Sequence, residues 1–112
     1  MKKHPMGNIM NRQRQRISEL NCLGPASERM LEKVGILSRE DLQTIGPVQA
    51  YLELERQLNS RPSLNLLYAM KLALEDRPWT SLTRAERVNL ITEIEAWHDL
   101  EGATAKHNNH NI

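Results

Sequence analysis

Leu20–Gly46, LNCLGPASERMLEKVGILSREDLQTIG, is the stretch on which the reading of this chain turns. Gly24 precedes Pro25, whose fixed φ and missing N–H suit the first position of a helix. Ala26, Met30, Leu31 and Val34 then recur at helical spacing. Gly35 follows where a left-handed C-terminal cap is expected. Ser38 stands as the N-cap of a second helix, and Asp41 takes the capping-box position that Glu fills better. Leu37 and Leu42 occupy the hydrophobic-staple positions around that cap. Gly46 closes the unit. The pattern predicts two short helices with a tight entry turn and a tight connection.

The rest of the chain continues this grammar. Pro47 follows Gly46 directly and opens a third helix, with Val48, Tyr51, Leu52 and Leu58 on one face and an end near Leu58. Ser63 is the N-cap of LNLLYAMKLALED, whose apolar residues cover most of its circumference. This predicts the central, mostly buried helix, with Met70 in the core and Ala69 and Ala73 allowing close approach of a neighbour. Arg77 and Pro78 end it, and Trp79 and Leu82 are expected to pack over that end. Thr83 and Glu86 have capping-box spacing, so a last helix starts near Arg84. Val88, Ile91, Ile94 and Trp97 or His98 are expected on its inner face, with Leu90 widening it and Gly102 ending it. No apolar–polar alternation is sustained, so no strand is expected. The fold class is all-α, a compact bundle of five or six short helices, and Leu20–Gly46 looks like a helix-hairpin-helix.

The 112 residues suffice for one small domain, here placed at 17–102, between a basic flexible arm at 1–16 and a disordered tail at 103–112. With no Phe and 4% aromatic residues, aliphatic side chains must fill the core. The net charge of +1 conceals an asymmetry. Residues 1–20 hold Lys2, Lys3, Arg12, Arg14 and Arg16 against Glu19 alone, while the remainder is mildly acidic. A basic arm of this kind can bind phosphate backbones or acidic protein surfaces, though a solvated flexible terminus is the commoner case. The single Cys22 excludes an intramolecular disulfide and fits a cytoplasmic location. No signal-peptide pattern is visible, and the apolar run at 64–74 is too short and polar to span a bilayer.

The runs LGPASERMLEKVGILSREDLQTIGPVQAYLEL and PSLNLLYAMKLALEDRPWTSL resemble the C-terminal domain of TfoX/Sxy-type proteins. The matching residues are Leu23-Gly24-Pro25, Val34-Gly35-Ile36, Asp41-Leu42, Gly46-Pro47 with Ala50-Tyr51-Leu52, and Ser63 to Leu67. The resemblance spans roughly residues 18–100. It implies a compact helical domain of the helix-hairpin-helix or SAM-like kind, and a non-enzymatic regulatory role in bacterial competence, the uptake and transformation of DNA, by assisting a transcription activator. Family members acting in competence commonly carry a separate N-terminal α/β domain. About 17 residues precede the resemblance here, which is expected either of a stand-alone form or of a chain whose function differs.

Candidate chemistry is sparse. A phosphate-binding hairpin needs glycines for close approach and free N–H groups at a helix start. Gly24 meets part of this need, Arg29 and Lys33 lie four apart, and Arg12, Arg14 and Arg16 on the arm complete the candidate nucleic-acid-binding set. Against it, Cys22 stands where many DNA-binding hairpins have Gly, and Glu28 in the first helical turn would repel a phosphate. Cys22 is expected to be a small buried hydrophobe rather than a reactive thiol. Glu95 and His98 form a lone i, i+3 pair, which does not make a metal site. No catalytic residue, cofactor site or metal site is expected, because the chain has no phosphate loop, nucleophile elbow or Cys/His cluster. For Trp79 and Trp97, packing is favoured over a role as interface anchors. The leading expectation is a regulatory interaction domain acting through a protein partner, without membrane association. Sequence-independent nucleic-acid binding is the alternative, and a homo-oligomerising SAM-like module is a third reading.

Overall fold

In the computed structural model the chain is described for residues 15–110, with side chains to Glu101. Five α-helices form, with no strand among the described residues: α1 Pro25–Glu32, α2 Arg39–Ile45, α3 Pro47–Leu58, α4 Leu64–Glu75 and α5 Arg84–His110. Two 3-10 turns, Ile17–Glu19 and Trp79–Ser81, precede α1 and α5. The described chain divides into two units after Leu82.

The first unit holds α1 to α4. Proline opens α1 and α3 at the first helical turn, with Gly24 and Gly46 as their N-caps. The end of α1 is a Schellman turn: Gly35 has φ 81, its N–H donates to the Glu32 carbonyl, and Ile36 N–H donates to the Leu31 carbonyl. Leu31 and Ile36, the pair such a turn brings together, are both buried. Ser38 Oγ accepts from Asp41 N–H at 3.2 Å as an N-cap should. The Asp41 carboxylate reaches one residue further back than a capping box requires, accepting from Leu37 N–H at 2.9 Å. Leu37 is 59% exposed while Leu42 is fully buried, so the expected staple is replaced by this hydrogen bond.

Helices α3 and α4 pack against each other, and α2 packs on both. Tyr51, Leu52 and Leu54 from α3 meet the core with Leu67, Met70 and Leu72 from α4. Each such side chain contributes about 1.5–3 kcal/mol of burial. Ala69 and Ala73 are buried as well. The Tyr51 hydroxyl donates to the Pro62 carbonyl at 2.7 Å, which ties the α3–α4 loop to the core. Asp76 ends α4 in a left-handed conformation, φ 56, and Arg77 N–H closes a second Schellman turn on the Leu72 carbonyl. The Arg77 guanidinium then holds the following 3-10 turn through Ser81. Leu82 is buried as expected, but Trp79 is 46% exposed and does not form a lid.

The second unit is α5. Thr83 and Glu86 form the full capping box: Thr83 N–H donates to Glu86 Oε1 at 2.9 Å, and Glu86 N–H donates to Thr83 Oγ1 at 3.1 Å. Its buried residues are Leu90 and Ile94, four apart, whereas Val88 is 51% exposed. Two residues subtend about 200° on a helix, so Val88 cannot share the face of Leu90. The helix runs through Gly102 to His110 rather than stopping there. A helix-interior glycine costs about 1 kcal/mol relative to Ala, a penalty and not a stop. The expected arm lies outside the described residues, apart from Gln15 and Arg16.

Candidate functional site

Of the candidate residues, Arg16, Gly24, Arg29 and Lys33 lie in the segment that leads into α1 and along that helix, and the entry to α1 is held by a carboxylate. Glu28 Oε1 accepts from Arg16 Nη2 at 3.1 Å, and Glu28 Oε2 accepts from Arg16 Nε at 3.4 Å and from Ser18 N–H at 3.2 Å. The Glu28 side chain is 13% exposed, the Arg16 side chain 67%. The Arg16 hydrogen bond, then the Ser18 N–H, holds the Glu28 carboxyl below the usual carboxylate range. Glu28 correspondingly raises the pKa of Arg16, which stays charged. Sequence reasoning placed Glu28 as a repeller of phosphate and Arg16 as an attractor. The structure pairs the two at the entry to α1.

The root of the arm is fixed beside the same hairpin. Arg16 and Ser38 form an isolated antiparallel bridge, and Arg39 N–H donates to the Gln15 carbonyl at 2.8 Å. Arg29 and Lys33 are both exposed, at the last turn of α1 and just past it. Gly24 has φ −135, and a Cβ there would meet nothing within 4 Å. Neither backbone conformation nor crowding therefore demands glycine at this position. Arg12 and Arg14 lie outside the described residues.

Cys22 adopts φ 69, the left-handed region that favours glycine. Its thiol is half-buried and donates to the Arg77 carbonyl at 3.6 Å. Burial pushes the thiol pKa up, away from the reactive thiolate. Two structural residues have no signal in the sequence: Ser18, whose backbone N–H donates to Glu28 Oε2, and Arg39, whose Nη2 donates to the Leu74 carbonyl at 2.9 Å. Their partners are 10 and 35 residues away, so no local spacing could reveal them. His98 is half-buried on α5, and no group of three His, Cys, Asp or Glu side chains suited to a metal ion occurs among the described residues.

The model of the TfoX C-terminal domain family matches residues 13–94, from the root of the arm through the buried part of α5. The chain belongs to the TfoX C-terminal domain family. Two solved structures resemble this TfoX C-terminal domain. One is the crystal structure, in a triclinic form, of an uncharacterized protein from Listeria monocytogenes; it is 27% identical with a TM-score of 0.65, over 73% of this chain and 92% of that one. The other is a protein of unknown function from Listeria monocytogenes, in a tetragonal form, 28% identical with a TM-score of 0.64, over 70% of this chain and 96% of that one. No curated protein matches the chain. Among the described residues no helix is long and apolar enough to cross a membrane.

Proposed function

We propose that this TfoX C-terminal domain is a non-enzymatic, cytoplasmic regulatory module that acts through contacts with a protein partner. Family membership supports a competence-regulator-like role, with a transcription activator as the class of partner. The observation that carries the preference for protein over nucleic acid is the Glu28 carboxylate, seated on Arg16 and Ser18 at the hairpin entry. A phosphate approaching the first turn of α1 would meet a carboxylate that is already hydrogen-bonded and charged. Arg16, the cation beside it, is paired with that same carboxylate.

A second reading, sequence-independent nucleic-acid binding, has one observation in its favour. Residues 15–16 run beside the N-terminus of α2, and Arg29 and Lys33 are exposed at the end of α1. A fluorescence-anisotropy titration of a random-sequence duplex separates the two. The protein-contact reading expects no saturable binding at about 50 mM salt, where phosphate contacts are strongest. Binding that strengthens as salt falls, and that an Arg29→Ala, Lys33→Ala variant loses, overturns it.

A further inference from the structure

Helix α5 has a second apolar face besides the one that buries Leu90 and Ile94. Successive helical residues turn by about 100°, so Ala85, Val88, Asn89, Thr92, Ala96 and Leu100 fall within about 60° of one line along the helix. Leu90 and Ile94 lie about 140–180° from that line. All six residues of the second face are exposed, Val88 at 51% and Leu100 at 58%. We infer that this face pairs with the same face of a second copy of the chain, the two α5 helices running antiparallel about a twofold axis near Thr92. The contact uses α5 alone and does not rest on the partner reading above.

Charge selects both the occupant and its direction. Arg84 flanks the face at its N-terminal end, and Glu95 and Asp99 flank the same side at its C-terminal end. All three are exposed, and none forms an ion pair among the described residues. Arg84 stands eight residues before Thr92, and Asp99 seven after it. An antiparallel twofold therefore brings Arg84 of one copy to Asp99 of the other, twice. A parallel pair would set Arg84 against Arg84 and Asp99 against Asp99, which is repulsive. The same axis brings Val88 and Leu100 level with Ala96 and Ala85 of the other copy, so large side chains meet small ones. Thr92 meets its own counterpart on the axis. A face that carries its own complement in this way is what an isologous dimer requires. A single helix face about 22 Å long falls at the low end of interface sizes, so the dimer is a weak one that forms as concentration rises.

The test is sedimentation equilibrium of the full chain over about 10 µM to 1 mM, the range in which a contact of this size associates. The mass is expected to rise from that of one chain, 12.9 kDa, toward twice that value. Arg84→Glu and Asp99→Arg, made singly, each set like charges together at both cross-pairs and should weaken association about tenfold. The chain carrying both substitutions restores opposite charges and should recover the parent association. Thr92→Lys sets two ammonium groups against each other on the axis and should leave a monomer. The three positions are exposed, so far-UV circular dichroism of every variant should match the parent. A mass that stays at 12.9 kDa across the whole range overturns the proposal and leaves the face to an unlike partner. Association that Thr92→Lys does not change, or single reversals that the double substitution does not rescue, also overturn it.

Discussion

Cys22 offers a sharp test of how the hairpin entry is built. The residue holds φ 69 without being glycine. A left-handed conformation costs a non-glycine residue about 1–2 kcal/mol. Replacing Cys22 by Gly removes that strain, but adds freedom to the unfolded chain worth about 0.5–1 kcal/mol. It also removes the thiol, whose contact with the Arg77 carbonyl at 3.6 Å is long. A weak hydrogen bond of this kind contributes at most about 0.5–1 kcal/mol. These terms nearly cancel, so Cys22→Gly should lie within about 0.5 kcal/mol of the parent. Cys22→Ala keeps the strain and loses the thiol, and should be less stable by about 0.5–1 kcal/mol. Cys22→Val adds β-branching in a region where branched residues are true outliers, and should lose about 2 kcal/mol. Urea unfolding followed by far-UV circular dichroism gives the order directly: Gly close to Cys, then Ala, then Val. A Val variant as stable as the parent, or a Gly variant less stable than Ala, would refute the reasoning.

Tyr51→Phe keeps the buried ring but leaves the Pro62 carbonyl without its donor. It should cost about 1–3 kcal/mol in the same assay. Leu67→Ala, at a fully buried position of α4, should lose about 2–5 kcal/mol, while Leu37→Ala, 59% exposed, should stay within about 0.5 kcal/mol of the parent. Acid should weaken the fold through Glu28 and Glu75, both held below the ordinary carboxylate range, Glu28 by Arg16 and Ser18, Glu75 by Lys71 and then Arg77. For depressed carboxyls the stabilisation is fully present above the unfolded pKa, near about 4.3, and is lost as pH falls through the folded value. Urea midpoints measured from pH 7 down to pH 3 should therefore fall below about pH 5, and Glu28→Gln should flatten that fall.

Much of the fold was legible because its punctuation is local. Pro25, Gly35, Ser38, Gly46-Pro47, Ser63 and the Thr83–Glu86 pair each act within a few residues of themselves, and each does in the structure what its type demands. Misreadings arose where local pattern under-determines the outcome. Val88 and Leu90 are both apolar, yet Leu90 is buried and Val88 exposed, a difference that the local pattern does not contain. Gly102 lies inside α5 instead of ending it, because glycine weakens a helix without forbidding it. Asp76 and Cys22 take left-handed conformations that glycine or asparagine would advertise better. The candidate site was the least legible part. Glu28 could be placed in the first turn of α1 from sequence, but its grip on Arg16 and Ser18 spans 12 and 10 residues.

We propose that the domain works by holding a protein rather than a nucleic acid. Affinity capture from the native cell with the intact chain, with and without nuclease, tests it most directly. The account predicts a defined protein partner recovered in equal amount under both treatments and retained by the Arg29→Ala, Lys33→Ala chain. Partners that vanish on nuclease treatment, together with co-purifying nucleic acid that the same variant releases, would contradict it.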